Sequence, residues 1–329
     1  MTTEVPGLLS IMPGTKRALV EKEAEHFLAA TLKDAEKEDI VLPPTRVRLI
    51  EEKSINQGLP SILCVDECLS SGMCKELRHA MDISPHLTFW NTSGRQDEDA
   101  KRFRDADTIE VKSKIFASLV WERIKHIVHN WAIEIGENEI EDPRWERELP
   151  GKWKATGVND DFLFAKYTSG GHFAPHTDGR TIHDFNYRSF YSIIIYLNSV
   201  PLDEGAGTNF YPQEAVHSLF LDSSSQWTSD KSKVSHEIEA NDGTCLIFSQ
   251  ELVHEGVPPN GHHSKYIIRS DIMFSRVPPI CDSESDMKAY EMYRNGQEYA
   301  ENGQLELGLP LMKKAMKLSS MESFLFVNH

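Results

Sequence analysis

The sequence predicts an α+β protein in which helices pack on an antiparallel barrel or double sheet. Two observations carry this. From about 158 to 277, short β-branched and aromatic runs are punctuated by Gly, Pro, Asn and Asp. On either side, at 109–135 and 285–320, apolar residues recur at helical spacing.

The strand candidates are "DFLFAKY" (161–167), "RSFYSIIIYLN" (188–198), "TNFYP" (208–212), "TCLIFS" (244–249) and "KYIIRSDIMFS" (265–275). Upstream, "SILCVDECLSSGMCKELRHAM" (61–81) reads as a short strand and then a helix capped by Ser70 or Ser71. "RQDEDAKRFRDADT" (95–108) reads as a polar loop. Ile115, Phe116, Leu119, Val120, Ile124, Ile127, Val128 and Trp131 predict a helix over 109–135 wide enough to cover a sheet. "LDSSSQWTSDKSKVSHE" (221–237) is polar and reads as a mobile loop over one mouth of the barrel.

This gives three parts. Residues 1–55 are an N-terminal extension with a surface helix in 19–40. Residues 56–277 are the main domain, with a catalytic core at 158–276. Residues 278–329 are a helical tail, two helices joined near Asn302–Gly303. In the tail Gly296, Tyr299, Gly303, Gly308 and Ala315 fall where a tetratricopeptide repeat places small and aromatic residues. One such unit cannot bury its apolar face alone. A helical hairpin docked on the main domain is the simpler reading; a surface for a protein partner is the alternative.

The chain has 329 residues, 40% hydrophobic and 26% charged, with a net charge of −16. That balance disfavours nucleic acid or an anionic membrane as a partner. Five cysteines, at 64, 68, 74, 245 and 281, form no CxxC pair, which fits a reducing compartment. Cys64, Cys68 and Cys74 lack a fourth ligand at zinc-finger spacing, and Cys245 reads as core. No basic-then-apolar leader and no run of about eighteen apolar residues is present, so a cytoplasmic or nuclear, non-secreted protein is expected.

The chemistry gathers around "GGHFAPHTDGR" (170–180). On a strand, residues i and i+2 share a face, so His176 and Asp178 aim an imidazole and a carboxylate into one cavity. "DGTCLIFSQELVHEGVPP" (242–259) supplies His254 at the far end of a following strand. Two His and one carboxylate form the facial triad of non-haem Fe(II) oxygenases, which leaves positions open for cosubstrate and O2. The next strand starts at Lys265, with Arg269 on the same face. Either cation could hold the distal carboxylate of 2-oxoglutarate. Lys265 ranks first by position, although Arg is the better bidentate partner. Tyr196 and Tyr167 could add hydroxyls, or simply pack as strand aromatics do. Arg180 reads as a substrate-channel candidate or a plain loop arginine. His172, His183, His217 and His236 have no partner spacing and read as surface or supporting residues. His262 and His263 sit in a Gly/Asn/Pro loop and read as solvated.

As a set, "FLFAKYTSGGHFAPHTD", "SIIIYLN", "EGAGTNFYP", "DGTCLIFSQELVHEGVPP" and "SKYIIRSDIMF" resemble the catalytic domain of the prolyl 4-hydroxylase-like Fe(II)/2-oxoglutarate dioxygenases. The resemblance implies a double-stranded β-helix (jelly-roll) core with supporting helices. It implies His176, Asp178 and His254 as iron ligands and Lys265 as cosubstrate anchor, with Tyr196 beside it. The His254–Lys265 interval is one residue longer than the family's common pattern, and Arg269 competes for the role. Fe(II), 2-oxoglutarate and O2 are implied, with ascorbate as a reductant. The implied reaction hydroxylates an unactivated C–H and releases succinate and CO2. A prolyl residue of a peptide or protein is the first target by resemblance, and a free amino acid or other small molecule the second. A metal-binding jelly roll without oxygenase activity is the non-enzymatic alternative.

Overall fold

The computed structural model describes residues 18–19, 22–29, 46–51, 58–89, 98–136, 149–301 and 303–318. In chain order the first elements are β1 (Ala18–Leu19), α1 (22–29), β2 (Val47–Glu51), β3 (Ile62–Val65) and α2 (Ser71–Ile83). Then come β4 (Thr88–Phe89), α3 (Glu98–Phe103), β5 (Asp107–Lys112), α4 (Lys114–Val128), β6 (Ala132–Ile135) and β7 (Gly151–Val158). The next group is β8 (Asp161–Tyr167), β9 (Phe173–His176), β10 (Ile182–Asp184), β11 (Tyr187–Tyr196) and β12 (Thr208–Tyr211). It is followed by β13 (Phe220–Leu221), β14 (Trp227–Thr228), β15 (His236–Ile238), β16 (Cys245–Ser249), β17 (Val253–Gly256) and β18 (Lys265–Val277). Helices α5 (Glu284–Glu301) and α6 (Leu305–Leu318) end the described chain.

Two sheets, antiparallel except for the β1–β5 pair, form the barrel. The large one runs β1-β5-β8-β18-β11-β16-β3-β2 and the small one β15-β12-β17-β9. The chain passes back and forth between them: β8, β11, β16 and β18 lie in the large sheet, β9, β12, β15 and β17 in the small one. That alternation is the double-stranded β-helix.

The apolar runs are continuous because the large sheet is buried on both faces. Ile193, Ile195, Ile247, Ile268 and Ile272 point outward into a cluster with α1, α2 and α4. Ile194, Tyr196, Leu246, Phe248 and Ile267 point into the barrel. Helix α4 covers the outer face with Phe116, Val120, Ile124 and Val128, all buried at helical spacing. Ser113 caps it by accepting from the Phe116 N–H at 3.2 Å. Ser70 caps α2 through the Met73 N–H at 3.2 Å.

Three expectations need correction. The 109–135 helix is too long: Ile109 and Val111 alternate as strand residues in β5, and Trp131 lies beyond the helix end. The 95–108 loop holds α3, whose six residues bury nothing and so give no apolar period to read; 95–97 lie outside the described residues. The 221–237 segment is built rather than loose. It carries the β13–β14 hairpin, the turn at Asp222 that accepts from the Ser224 and Gln226 N–H groups, and the Lys231–Glu255 ion pair at 2.5 Å. Within 19–40, the described α1 is a surface helix with one apolar face: Lys22, Glu23, Glu25 and His26 are exposed, Ala24 and Leu28 are buried, and Phe27 meets Phe164 edge-on at 5.1 Å. The rest of that stretch lies outside the described residues.

The tail is a helical hairpin. Gly303, with φ +76°, turns the chain between α5 and α6. A Cβ at Gly308 would meet the Gly296 carbonyl oxygen at 2.5 Å, so the helices approach through paired glycines. Tyr290 packs on Phe185 at 4.5 Å and ties α5 to the domain. Among the described residues no helix is long and apolar enough to cross a membrane.

Candidate active site

Strands β9 and β17 are hydrogen-bonded neighbours, and His176 stands opposite His254 in their register. Gly170 (φ +81°) and Gly171 make the turn into β9; a Cβ on Gly171 would meet the Asp105 carbonyl oxygen at 2.9 Å. His176 ends β9, and Asp178 follows it outside the strand, its N–H held by the Gln250 carbonyl at 3.2 Å. The expected strand leading to His254 is two strands. β16 and β17 lie in different sheets, and the 250–252 turn between them brings His254 back over the barrel.

His176, Asp178 and His254 bring one ligand atom each within 4.8 Å of one another. His176 Nε2 is 3.7 Å from Asp178 Oδ1, and His254 Nε2 is 3.8 Å from Oδ2. Each ring is fixed from behind. His176 Nδ1 contacts the Ala174 carbonyl at 2.7 Å, and His254 Nδ1 the Leu252 carbonyl at 3.0 Å. A carbonyl only accepts, so both Nδ1 atoms carry the proton and both Nε2 lone pairs face the shared space. Burial, aided by His176, pushes His254 down to about 4, which keeps it neutral. Burial works against ionising Asp178, but Arg269 and the two histidines outweigh it and hold the carboxyl well below its usual range. Two imidazole Nε2 atoms and a carboxylate are the donor set that fits Fe(II).

The two candidate cations of β18 differ in company. Lys265 is 2% exposed. Its Nζ donates to the Gly207 carbonyl at 2.7 Å and lies over the rings of Tyr167 (5.4 Å) and Tyr196 (5.8 Å). Burial pushes it down to about 7. Arg269 is already paired: its Nη2 lies 3.0 Å from Asp271 and 3.5 Å from Asp178.

The tyrosines frame Lys265, but their hydroxyls are engaged. Tyr196 shares a 2.7 Å hydrogen bond with Thr208, and burial raises its phenol far above the usual value. Burial also raises the Tyr167 phenol, with Arg104 pulling the other way. Arg180 pairs with Glu251 at 2.6 Å, so the expected channel arginine is tied to the 250–252 turn. His172 is buried, not at the surface; its Nε2 meets the Arg102 carbonyl at 2.8 Å. His183, His217, His262 and His263 are exposed. Cys64, Cys68, Cys74 and Cys245 are buried free thiols.

Sequence reading missed the polar support under the triad. Ser192 donates to Asp178 Oδ2 at 2.6 Å. Asp271, fully buried, accepts from Thr181 (2.7 Å), Gln250 (2.9 Å) and Asn159 (3.4 Å). It thereby joins β18 to both segments that carry the ligands. The signal was present: Ser192 and Asp271 interrupt otherwise apolar strands, and a polar residue there must be bonded. Phe173, stacked on the His176 ring at 3.5 Å, and Arg104, 4.9 Å from the Phe173 ring, gave no such signal.

Residues 162–270 match the family model of the 2OG-Fe(II) oxygenase superfamily. The match covers roughly a third of the 329 residues and includes the triad, Lys265 and Arg269. Among solved structures the chain is similar to the viral collagen prolyl hydroxylase of Paramecium Bursaria Chlorella virus-1 in its 2OG complex. That likeness has 15% identity and a TM-score of 0.39, over 68% of this chain and 99% of that one. It is similar to a Trichoplax adhaerens prolyl hydroxylase in complex with a hypoxia inducible factor peptide fragment: 14% identity, 66% and 83% coverage, TM-score 0.41. It is also similar to the epimerase SnoN in complex with Fe3+, alpha ketoglutarate and nogalamycin RO: 12% identity, 66% and 79% coverage, TM-score 0.34. Likenesses this distant say nothing of substrate. No curated protein matches the chain.

Proposed function

We propose that this chain, whose residues 162–270 match the 2OG-Fe(II) oxygenase family model, hydroxylates an unactivated C–H with release of succinate and CO2. The observation that carries this is the triad with both histidines turned by their backs, in one barrel with a buried lysine that has no ion pair among the described residues. Fe(II) with 2-oxoglutarate and O2 supplies the oxidising chemistry, and the protein's part is to place and shield it. His176, Asp178 and His254 hold the metal. Lys265 takes the distal carboxylate of 2-oxoglutarate, exchanging one carbonyl acceptor for a full charge. Tyr167 and Tyr196 wall that end and keep water from it. Arg269 serves the metal end instead, because two carboxylates already claim it.

A prolyl residue of a peptide or protein is the substrate we infer first, from the order of motifs between 161 and 275. Ascorbate, as the reductant that keeps iron ferrous, belongs to the same proposal. The test is succinate formation from 2-oxoglutarate by the iron-loaded full chain in air. Formation by the parent and its absence in His176→Ala supports the reading. Equal behaviour of the two overturns it and leaves a metal-binding jelly roll.

A further inference from the structure

We propose that Arg104 and Tyr167 form a second carboxylate-reading subsite beside the metal centre, where the substrate's own carboxylate is held. This rests on the oxygenase reading and adds a substrate class to it: an amino acid or other small acid, or a peptide presenting a free carboxylate.

Arg104 follows α3 and bridges antiparallel to Phe173, the residue that opens the ligand strand β9. Its side chain does not leave that neighbourhood. The guanidinium carbon lies 4.9 Å from the Phe173 ring, and that ring stacks on His176 at 3.5 Å. The guanidinium also couples to the Tyr167 phenol, whose ring is 5.4 Å from Lys265 Nζ. Arg104 therefore lies between a triad histidine, reached through Phe173, and Lys265, reached through Tyr167.

Burial makes this position informative. Arg104 is only 8% exposed, and its Nε has no hydrogen-bond partner among the described residues. None of the ion pairs among the described residues includes it, while Arg48, Arg102, Arg180 and Arg269 each have a carboxylate. A buried guanidinium without a counter-charge is costly and is retained where something anionic arrives. Its planar fork suits a carboxylate.

Charge counting names the source. 2-Oxoglutarate brings two carboxylates. In the proposed function one goes to the metal end and the other to Lys265. Arg104 is a further cation, and a third carboxylate must come from the substrate.

The test uses the full chain loaded with Mn(II), which prevents turnover, and calorimetric titration. The probes are 2-oxoglutarate first, then acetate and L-proline, each against its amide, on the 2-oxoglutarate complex. The parent should prefer the acids to the amides by about tenfold. Arg104→Met should erase that preference and leave 2-oxoglutarate affinity within about twofold; Arg104→Lys should keep part of the preference. Because no ion pair among the described residues is broken and only the Phe173 and Tyr167 contacts are lost, Arg104→Met should melt within a few degrees of the parent, which shows that it folds. If Arg104→Met instead weakens 2-oxoglutarate about tenfold, Arg104 reads the cosubstrate and the substrate assignment falls. If the parent does not discriminate acid from amide, and 2-oxoglutarate is unaffected, there is no subsite. A parent that binds no 2-oxoglutarate contradicts the oxygenase reading separately; acetate against acetamide on the Mn(II) form then still reads Arg104.

Discussion

Lys265 and Arg269 stand on one strand, face the same barrel interior, and have opposite surroundings. Between Tyr167 and Tyr196, Lys265 has two aromatic rings and one carbonyl, and burial lowers its pKa to about 7. At the metal end, Arg269 loses solvent too, but Asp178 and Asp271 more than offset that and raise its pKa. Residue type alone favours arginine as a carboxylate receptor. In the function proposed above, the counter-charges already present favour Lys265 instead. Lys265 has no ion pair among the described residues, whereas Arg269 is neutralised by Asp178 and Asp271 and holds the Asp178 carboxylate in place.

The largest expected effect lies at the metal end. Asp178→Asn removes the only anionic ligand of the triad and should lower Fe(II) affinity by more than about 100-fold, read by metal titration. Arg269→Met comes next. It strands two buried carboxylates and should cost about 3 kcal/mol in chemical denaturation, at the low end for a broken buried pair because 24% of the side chain meets water. Metal affinity should fall with it, by about tenfold. Lys265→Met should behave in the opposite way. It removes an unpaired buried cation, so stability should hold or rise, while 2-oxoglutarate affinity falls by about tenfold or more. If Lys265→Met is the less stable variant and keeps its cosubstrate, the contrast between the two ends is wrong.

A smaller effect follows from pH. A lysine whose folded pKa is lowered to about 7 from 10.5 is charged below that pH and neutral above it. The carboxylate needs the charged form, so 2-oxoglutarate binding should be flat below about pH 6 and weaken as pH rises past 7. Above 7, binding should take up close to one proton, measured by calorimetry in buffers of different ionisation enthalpy. The same lowered pKa makes the folded state bind fewer protons than the unfolded one between about 7 and 10.5. This group's contribution to stability therefore improves as pH rises through that window. Smallest is Tyr196→Phe, which loses the 2.7 Å bond to Thr208 and should cost about 1 kcal/mol. A cosubstrate affinity nearly unchanged in that variant would place the hydroxyl with Thr208 and not with the carboxylate.

Much of this was legible beforehand because it is written in local pattern. The strands of 161–277 announce themselves through β-branched runs, and the triad through His-x-Asp followed by a later His. Alternation also marks the barrel interior: Ser192, Ile194 and Tyr196 face in, Ile193 and Ile195 face out. What stayed hidden depends on distant contacts. Nothing local says that Arg269 meets Asp178 and Asp271, or that Arg180 meets Glu251. Helix α3 buries no side chain and so leaves no period, yet it leads directly into Arg104. The 221–237 stretch reads as loose because its order comes from Asp222 turning its own backbone and from Glu255, which lies in another strand.

The most direct measurement is an anaerobic titration of the Fe(II)-loaded protein with 2-oxoglutarate, followed by the visible metal-to-ligand charge-transfer band. The parent should develop the band and then form succinate when O2 is admitted. Lys265→Met should reach the same band only at about tenfold or more higher 2-oxoglutarate. A parent without band or succinate contradicts the oxygenase site, and a Lys265→Met titration that overlays the parent contradicts the role given to Lys265.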